Sequence, residues 1–248
     1  MCEFDKYSEY YDLIYKDKDY KKESDYIKTI IDKYSVNCTK ILELGCGTGK
    51  HASYLSNYYK IYAIDGSKSM INKALKNSNS NIKFEFGDVR LFRLNKKVDF
   101  VISLFHVASY QIAEDDLLQY FNTARIHLNK GGFFIFDCWH GPAVISQKPE
   151  KRLKKVENES ILLTREAIPS MKINEDKVEV LYDINVINKD SNENYQFNEK
   201  HTLRYLFPPK VELLAKLNNF RIIKSGEWLT DKFLSNGTWS VYYILEAL

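Results

Sequence analysis

A single strand followed by a glycine-rich turn constrains the fold of this chain most strongly. The stretch from Ile41 to His51 reads ILELGCGTGKH, in which a short apolar run stops at three glycines in alternate positions. Glycine lets the backbone approach a ligand without side-chain collision. A helix that starts directly after such a turn presents free amide groups to polar or anionic groups. The stretch therefore predicts a strand–turn–helix unit that binds a ligand.

Two other glycine motifs do not fit this turn. The dinucleotide fingerprint has the spacing GxGxxG, whereas Gly49 comes one residue too early for its third glycine. A phosphate-binding P-loop needs a glycine where Leu44 stands and a serine or threonine where His51 stands. The turn therefore belongs to neither of these two classes of nucleotide site.

Two aspartates come at the ends of the next two predicted strands. Asp65 follows the run KIYAI, and Asp88 follows the run IKFEFG. A carboxylate at the end of the second strand can accept both hydroxyl protons of a ribose. A carboxylate after the third strand could accept a hydrogen bond from an adenine amino group. The glycine turn and both aspartates stand in the right order for a nucleoside site.

The first part of the chain alternates apolar runs with amphipathic ones. Strands are predicted over residues 40–44, 60–64, 82–86, 98–104 and 133–138. Helices are predicted over residues 20–34, 50–58, 67–76 and 114–128. Strands that alternate with helices indicate parallel pairing and an α/β fold with a doubly wound sheet.

The pattern changes after Trp139. Alternating β-type residues separated by polar turns predict three antiparallel strands, over 152–168, 177–188 and 194–207. A helix over 210–218 and strands over 220–224 and 239–245 close the chain. No long linker or repeat interrupts it, so we predict a single domain over residues 1–248. Within it we expect an N-terminal segment 1–35 that caps the site and an antiparallel β lid inserted over about 143–207.

Composition argues against several classes of protein. The formal net charge of the 248 residues is only +3, and the basic residues form no stripe of the kind that binds nucleic acid. No segment approaches the roughly 20 apolar residues that span a bilayer. Cys2, Cys38, Cys46 and Cys138 form no CxxC pair, so we expect no metal site. The acidic, aromatic N-terminus is unlike a signal peptide, which predicts a cytoplasmic protein.

The motifs of the first half resemble those of the class I S-adenosylmethionine-dependent methyltransferases. ELGCGTG is similar to the glycine-rich first motif of that family, AIDGS to its ribose-binding motif and FGDVR to its adenine-site motif. The resemblance implies a seven-stranded Rossmann-like sheet with its last strand antiparallel, and S-adenosylmethionine as the cofactor. It also implies a cofactor cleft lined by Gly45, Cys46, Gly47, Asp65, Gly66, Met70, Asp88, Val89 and Leu104.

Aromatic and histidine residues follow the fourth and fifth predicted strands, where ligands of such sheets bind. The fourth strand runs into Phe105, His106 and Tyr110, and the fifth ends at Trp139 and His140. We expect all five to lie near the acceptor of the methyl group. His106 is the preferred general base because histidine titrates near neutral pH. The alternative is a histidine that only shapes the wall, with His140 as a second candidate for the base.

A narrower resemblance links the chain to the nucleotide-linked amino-sugar N,N-dimethyltransferases. YDLIY, KDYKKE, CGTGKH, SLFHVASY and DCWHGP are similar to stretches of that family. The resemblance implies a homodimer in which Tyr15 approaches the cofactor and takes part in catalysis, while Tyr20 contacts the substrate. This chain has His106 where the family has a small residue. It also has His140 and Gly141 where the family has tryptophan and another aromatic, which changes the polarity of the pocket.

The leading functional hypothesis is methylation of a small amine, with a nucleotide-linked amino sugar as the favoured acceptor. Arg152, Arg165 and Arg204 are candidates to meet its diphosphate, because guanidinium groups match phosphate geometry. The charge run Lys148–Lys155 predicts a solvated turn or strand face. The alternatives are O-methylation of a sugar or related metabolite, glycine-type N-methylation, and a non-catalytic partner protein that binds the cofactor. An aminopropyl transferase would need an acidic polyamine groove that the sequence does not supply.

Overall fold

Five parallel strands form the first part of the sheet in the computed structural model, which describes residues 5–35 and 37–248. They are β1 (Lys40–Leu44), β2 (Lys60–Asp65), β3 (Ile82–Phe86), β4 (Val98–Ser103) and β5 (Leu128–His140). Their spatial order is β3-β2-β1-β4-β5. The order of the chain reverses between β1 and β4, and ligands of doubly wound sheets bind at such a point, beyond the carboxyl ends of the strands.

Two helices precede the sheet, α1 (Asp5–Ile14) and α2 (Tyr20–Tyr34). The first four residues of the predicted cap segment 1–35, which include Cys2, lie outside the described residues. Asp19 caps α2, since its Oδ1 accepts a hydrogen bond from Lys22 N at 2.9 Å. The sequence predicted α2 but not α1, whose tyrosines are weak helix formers and whose buried face depends on packing against the lid.

The remaining helices are α3 (Lys50–Leu55), α4 (Lys68–Ala74), α5 (Glu114–His127), α6 (Gly141–Gln147) and α7 (Pro208–Leu217). Ser67 caps α4, and its Oγ accepts a hydrogen bond from Met70 N at 3.3 Å. Helix α3 is three residues shorter than the predicted 50–58. Helix α6, which the sequence did not predict, has Pro142 in its first turn, where the missing N–H costs no hydrogen bond.

The antiparallel insertion has four strands, and the prediction of three was wrong. They are β6 (Arg152–Glu157), β7 (Ile161–Lys172), β8 (Lys177–Asn188) and β9 (Asn194–Leu206). The expected single strand over 152–168 is a hairpin, because Asn158 Oδ1 accepts hydrogen bonds from Ser160 N at 3.1 Å and Ile161 N at 2.7 Å. An asparagine that bonds its own backbone two residues ahead favours a turn over a continued strand.

Strands β10 (Phe220–Glu227) and β11 (Ser240–Ala247) complete the main sheet. β11 lies antiparallel between β5 and β10, so the predicted seven-stranded sheet with an antiparallel strand and an antiparallel β lid is confirmed. β9 adds a short parallel pairing to the last two residues of β5, Trp139 and His140. The lid is therefore hydrogen-bonded to the edge of the sheet where the predicted site lies. No helix among the described residues is long and apolar enough to cross a membrane.

Apolar layers cover both faces of the sheet. Ile41 and Leu42 of β1 are both fully buried and belong to different layers, because successive side chains of a strand point to opposite faces. Burial on both faces explains why the parallel strands read as nearly continuous apolar runs. The layers hold the strand ends, and the loops that follow them, in a fixed arrangement.

Candidate active site

The glycine turn after β1 leaves open space at the carboxyl edge of the sheet. Gly45, Gly47 and Gly49 have φ of 77°, 54° and 75°, the left-handed region that favours glycine. A Cβ on Gly45 would lie 2.5 Å from Val107, and one on Gly49 would lie 2.6 Å from Phe84. A Cβ on Gly47 would meet no atom within 4 Å. The turn is thus packed tightly at its ends and stays open to a ligand in its middle.

Asp65 fastens the glycine turn to the end of β2. Its Oδ2 accepts a hydrogen bond from Gly47 N and its Oδ1 accepts one from Ser67 N, both at 2.8 Å. Burial raises the pKa of the Asp65 carboxyl, while these two backbone N–H groups oppose the shift. Each oxygen keeps a further lone pair with which it can accept a hydrogen bond from a ligand hydroxyl.

Asp88, which follows β3, is held in place by Arg90. Arg90 Nε lies 2.9 Å from Asp88 Oδ1, and Arg90 Nη1 lies 2.6 Å from Asp116 Oδ1. The hydrogen bonds from Arg90 lower the pKa of the Asp88 carboxyl, so that it is ionised at neutral pH. An ionised carboxylate is the acceptor that a ligand amino group requires.

A cavity of about 740 Å³ extends from the glycine turn to the inner face of the lid, which is large enough for a cofactor together with a small acceptor. The predicted site residues that line it are Tyr15, Tyr20, Gly45, Cys46, Gly47, Asp65, Gly66, Met70, Asp88, Val89, Leu104, Phe105, His106, Tyr110 and Trp139. The fold thus brings together residues of the cap segment, four strand ends and the loop after β4.

His140 is the predicted site residue that the structure does not bring into this cavity. Its side chain is 2% exposed and lies on the opposite face of β5 from Trp139, because side chains alternate along a strand. Burial lowers the pKa of His140. The prediction placed both residues at the strand end without using this alternation.

His106 occupies a strained turn beside a buried carboxylate. Phe105 and His106 both have φ of 66°, a conformation that costs energy for residues other than glycine and concentrates at functional sites. Asp137 Oδ1 accepts a hydrogen bond from His106 N at 3.1 Å, and its Oδ2 lies 2.8 Å from His106 Nδ1. Nδ1 forms no hydrogen bond of ordinary geometry among the described residues, but its contact with Oδ2 becomes an ion pair once the imidazole is protonated. Proton exchange with a substrate therefore falls to Nε2. The sequence did not predict this role for Asp137.

Aromatic residues of α1 and the lid close the cavity from above. The rings of Tyr7 and Tyr182 stack at 5.7 Å with an angle of 8° between their planes. Tyr110 Oη lies 3.0 Å from His201 Nδ1, and all four residues line the cavity. The sequence missed Tyr182 and did not place His201, because alternation along a strand shows which residues share a face but not what that face covers.

A buried series of ionisable groups links the cap segment to the glycine turn. Lys18 pairs with Glu23, whose Oε2 lies 2.7 Å from His51 Nε2, and His51 Nδ1 lies 3.9 Å from Glu43 Oε1. Burial raises the pKa of Glu43 to about 8. Burial also acts to raise the pKa of Glu23, but the contacts with His51 and Lys18 prevail and lower it to about 2. His51, which follows the glycine turn, also lines the cavity.

Glu23→Gln is expected to lower the free energy of unfolding at neutral pH by roughly 2 kcal/mol, because the variant loses a buried carboxylate whose ionised form is stabilised by the fold. The pKa of Glu23 falls from 4.5 to about 2 on folding, so its contribution is complete above pH 4.5 and is lost as the pH falls towards 2. Urea denaturation across this pH range measures it. Asp25→Asn, in an exposed pair with Lys21 on the same helix, should change stability little. Equal stability of Glu23→Gln and wild type at neutral pH would contradict the prediction.

The fold, the glycine turn and the two strand-end aspartates define a class of protein. Residues 41–132 match the family model described as a methyltransferase domain. The motifs and the fold are those of the class I S-adenosylmethionine-dependent methyltransferases, which confirms the resemblance of the motifs.

Individual proteins that are similar to this chain differ in the methyl acceptor that their names give. An S-adenosylmethionine-dependent methyltransferase of solved structure from Clostridium acetobutylicum ATCC 824 has a TM-score of 0.81 at 25% identity, over 98% of each chain. The dTDP-3-amino-3,4,6-trideoxy-alpha-D-glucopyranose N,N-dimethyltransferase of Streptomyces venezuelae is 28% identical over 145 residues, 57% of this chain and 60% of that one. The malonyl-[acyl-carrier protein] O-methyltransferase of Bacillus anthracis is 35% identical over 118 residues, 46% of this chain and 42% of that one. The chain thus matches about half the length of these two curated relatives.

The residues of the cavity fit S-adenosylmethionine, the cofactor of this family. A Cβ on Gly47 or on Gly66 would meet no atom within 4 Å, so the backbone on both sides of Asp65 faces open space. The carboxylate of Asp65 would hold ribose hydroxyls, and that of Asp88 would hold the adenine amino group. The remaining volume, towards His106 and the tyrosines, is left for the acceptor.

Proposed function

We propose that this chain transfers methyl groups from S-adenosylmethionine to the amine of a small acceptor, an amino sugar carried on a nucleotide. The observation that carries the proposal is the pairing of His106 with buried Asp137 in the same cavity as the glycine turn. A base is thereby held beside the place where the family cofactor fits. Bound S-adenosylmethionine supplies an activated sulfonium methyl group.

The residues of the chain have two tasks in this reaction. A protonated amine must lose a proton before it can attack, and His106 Nε2 accepts that proton. Asp137 Oδ2, 2.8 Å from Nδ1, then stabilises the imidazolium that forms. The second task is alignment, because the displacement is in line and the acceptor must be held without competing water. Phe105 and Tyr15, whose rings meet edge to face at 5.1 Å, supply an apolar wall for it.

The nature of the acceptor is supported by the relative from Streptomyces venezuelae, which is named as an N,N-dimethyltransferase of a dTDP-linked amino sugar. The tyrosine-rich cap adds support, because Tyr15 and Tyr20 line the cavity from two sides. We assign Tyr15 to the cofactor and to catalysis and Tyr20 to the acceptor. The cap segment 1–35 and the insertion over about 143–207 would then enclose the acceptor within one methyltransferase domain. We further propose a homodimer, which light scattering coupled to size-exclusion chromatography would test.

O-Methylation is the second candidate function, and the same histidine–carboxylate pair favours it. An alcohol needs a base during the attack, and a histidine oriented by a buried carboxylate is the usual arrangement for that task. The relative from Bacillus anthracis is named as an O-methyltransferase, although its acceptor is an acyl-carrier protein.

A panel of acceptors separates these candidates. The chain is incubated with S-adenosylmethionine and, in turn, nucleotide-linked amino sugars, the same sugars with a hydroxyl in place of the amine, and glycine. Mass spectrometry is expected to show one or two added methyl groups on the amino sugars alone. Methylation of the hydroxyl sugars or of glycine would contradict the proposal and assign the chain to the corresponding class.

A further inference from the structure

Three basic residues share the inner face of the lid, where β6 and β7 pair. Lys154 lies directly opposite Arg165 in the antiparallel register, and Arg152 lies two residues from Lys154 on the same face. The next pair along this face, Val156 and Leu163, packs against α1. Like charges directly opposite each other destabilise a strand pair. This lid cation patch, Arg152, Lys154 and Arg165, therefore carries a repulsion that a bound anion would relieve.

Arg165 is largely buried, and no carboxylate in the described part of the chain pairs with it. Its Nη1 donates to Tyr7 Oη at 2.7 Å and to Tyr15 Oη at 3.3 Å, and its guanidinium lies 4.6 Å above the ring of Tyr182. Burial raises the pKa of Tyr7 well above its usual value and that of Tyr182 to about 12, so both hydroxyls are neutral. Arg165 Nε is buried and has no acceptor in the described part of the chain. An uncompensated buried cation is costly, which points to an anionic ligand.

The ion pairs around the lid cation patch are few. Neither Arg152 nor Arg165 forms one within residues 5–35 and 37–248. Lys154 Nζ lies 3.8 Å from Asp17 Oδ2, but the side chain of Asp17 is 70% exposed and contributes little in water. The other arginine that the sequence proposed for a diphosphate, Arg204, is already paired with Glu114 at 2.8 Å. Of the three arginines that the sequence proposed for a diphosphate, Arg152 and Arg165 are thus the two without a carboxylate partner among the described residues.

Tyr15 connects the lid cation patch to the active-site cavity. Arg165 Cζ lies 5.7 Å and Lys154 Nζ 5.8 Å from the centre of its ring. The same ring lines the cavity and meets Phe105 next to His106. An acceptor that lies along Tyr15 can therefore reach from the lid cation patch to the proposed base.

We infer that the lid cation patch binds the phosphate groups of the acceptor. This rests on the proposed function in that the acceptor is nucleotide-linked. The guanidinium of Arg165 offers planar donors that match two phosphate oxygens, and Lys154 and Arg152 add positive charge beside it. The patch then determines specificity: it selects acceptors that carry phosphate and positions the sugar end beyond Tyr15.

Isothermal titration of the full chain with thymidine diphosphate and with inorganic pyrophosphate tests this inference without any methyl transfer. Arg165→Gln should weaken the binding of both anions at least about tenfold, and Lys154→Gln about fivefold. Arg165→Lys, which keeps the charge but not the planar donors, should fall between wild type and Arg165→Gln. Thymidine, which has no phosphate, should bind only weakly to the wild type and to each variant. Affinity for both anions should fall as the salt concentration rises.

Arg221→Gln is the matched control, since it removes the same charge from an exposed pair with Glu246 on β10. It should bind both anions as wild type does. If Arg165→Gln fails to fold, Lys154→Gln still tests the inference. Arg165 donates hydrogen bonds to two tyrosine hydroxyls, whereas Lys154 forms none of this kind in the described part of the chain. The inference is overturned if wild type binds neither anion, or if Arg165→Gln and Lys154→Gln bind them with wild-type affinity. Anion binding that depends on the patch, without methylation of any nucleotide-linked amino sugar, would contradict the proposed function and leave the phosphate site standing.

Discussion

Asp65→Asn is expected to weaken the binding of S-adenosylmethionine by about 100-fold, because it removes a charged acceptor of two ligand hydrogen bonds, each contributing about 1.5 kcal/mol. An asparagine has one acceptor oxygen, whereas Asp65 already accepts from Gly47 N and Ser67 N. The amide NH₂ of the variant would therefore face one of these N–H donors and loosen the glycine turn. Isothermal titration with S-adenosylmethionine and with its demethylated product measures both effects on affinity.

Asp99→Asn provides the matched control for this variant. Asp99 Oδ2 also accepts from two backbone groups, Thr39 N at 2.8 Å and Lys40 N at 2.9 Å, but it does so at the opposite end of the sheet. This variant should lose stability in urea denaturation and keep its affinity for the cofactor. Wild-type affinity in Asp65→Asn would show that the carboxylate does not hold the cofactor.

His106→Ala is expected to lower kcat for an amine acceptor by about 100-fold, the lower end of the contribution of a positioned base. The residual rate comes from alignment of the acceptor, which the variant keeps. Asp137→Asn should lower kcat by a similar factor, since the amide in place of the carboxylate favours the wrong tautomer of the imidazole. Steady-state kinetics of the wild type and both variants measure these effects.

His127→Ala is the control for a buried histidine outside the cavity. His127 Nε2 accepts from Leu94 N at 2.7 Å, so its loss should lower stability and leave kcat unchanged. With an alcohol acceptor, His106→Ala should abolish turnover rather than reduce it. An unchanged kcat in His106→Ala would mean that the histidine only shapes the wall of the cavity.

The cofactor half of the site could be predicted from the sequence because its determinants are local. A left-handed turn requires glycine at Gly45, Gly47 and Gly49, and an aspartate that directly follows a strand lies at the carboxyl edge of the sheet. Neither inference depends on contacts between distant parts of the chain. The spacing along the chain therefore sufficed to bring Asp65 and Asp88 to one cavity.

The acceptor half could be predicted only in part because it depends on the register of distant strands. Asp137 reaches His106 because β4 and β5 pair with Ser103 opposite Phe136, which places the next residues of both strands side by side. Tyr182 enters the cavity only because the lid folds back over the sheet. The same dependence explains His140, which lies one residue from the cavity-lining Trp139 yet faces away.

Nuclear magnetic resonance of the product formed from ¹³C-methyl-labelled S-adenosylmethionine and a nucleotide-linked amino sugar tests the central proposal most directly, because it locates the transferred carbon. We expect the label on the sugar nitrogen, as one or two methyl groups, with formation slowed in His106→Ala. Label on a sugar oxygen, or none on the sugar at all, would contradict the assignment of this chain as an amine methyltransferase.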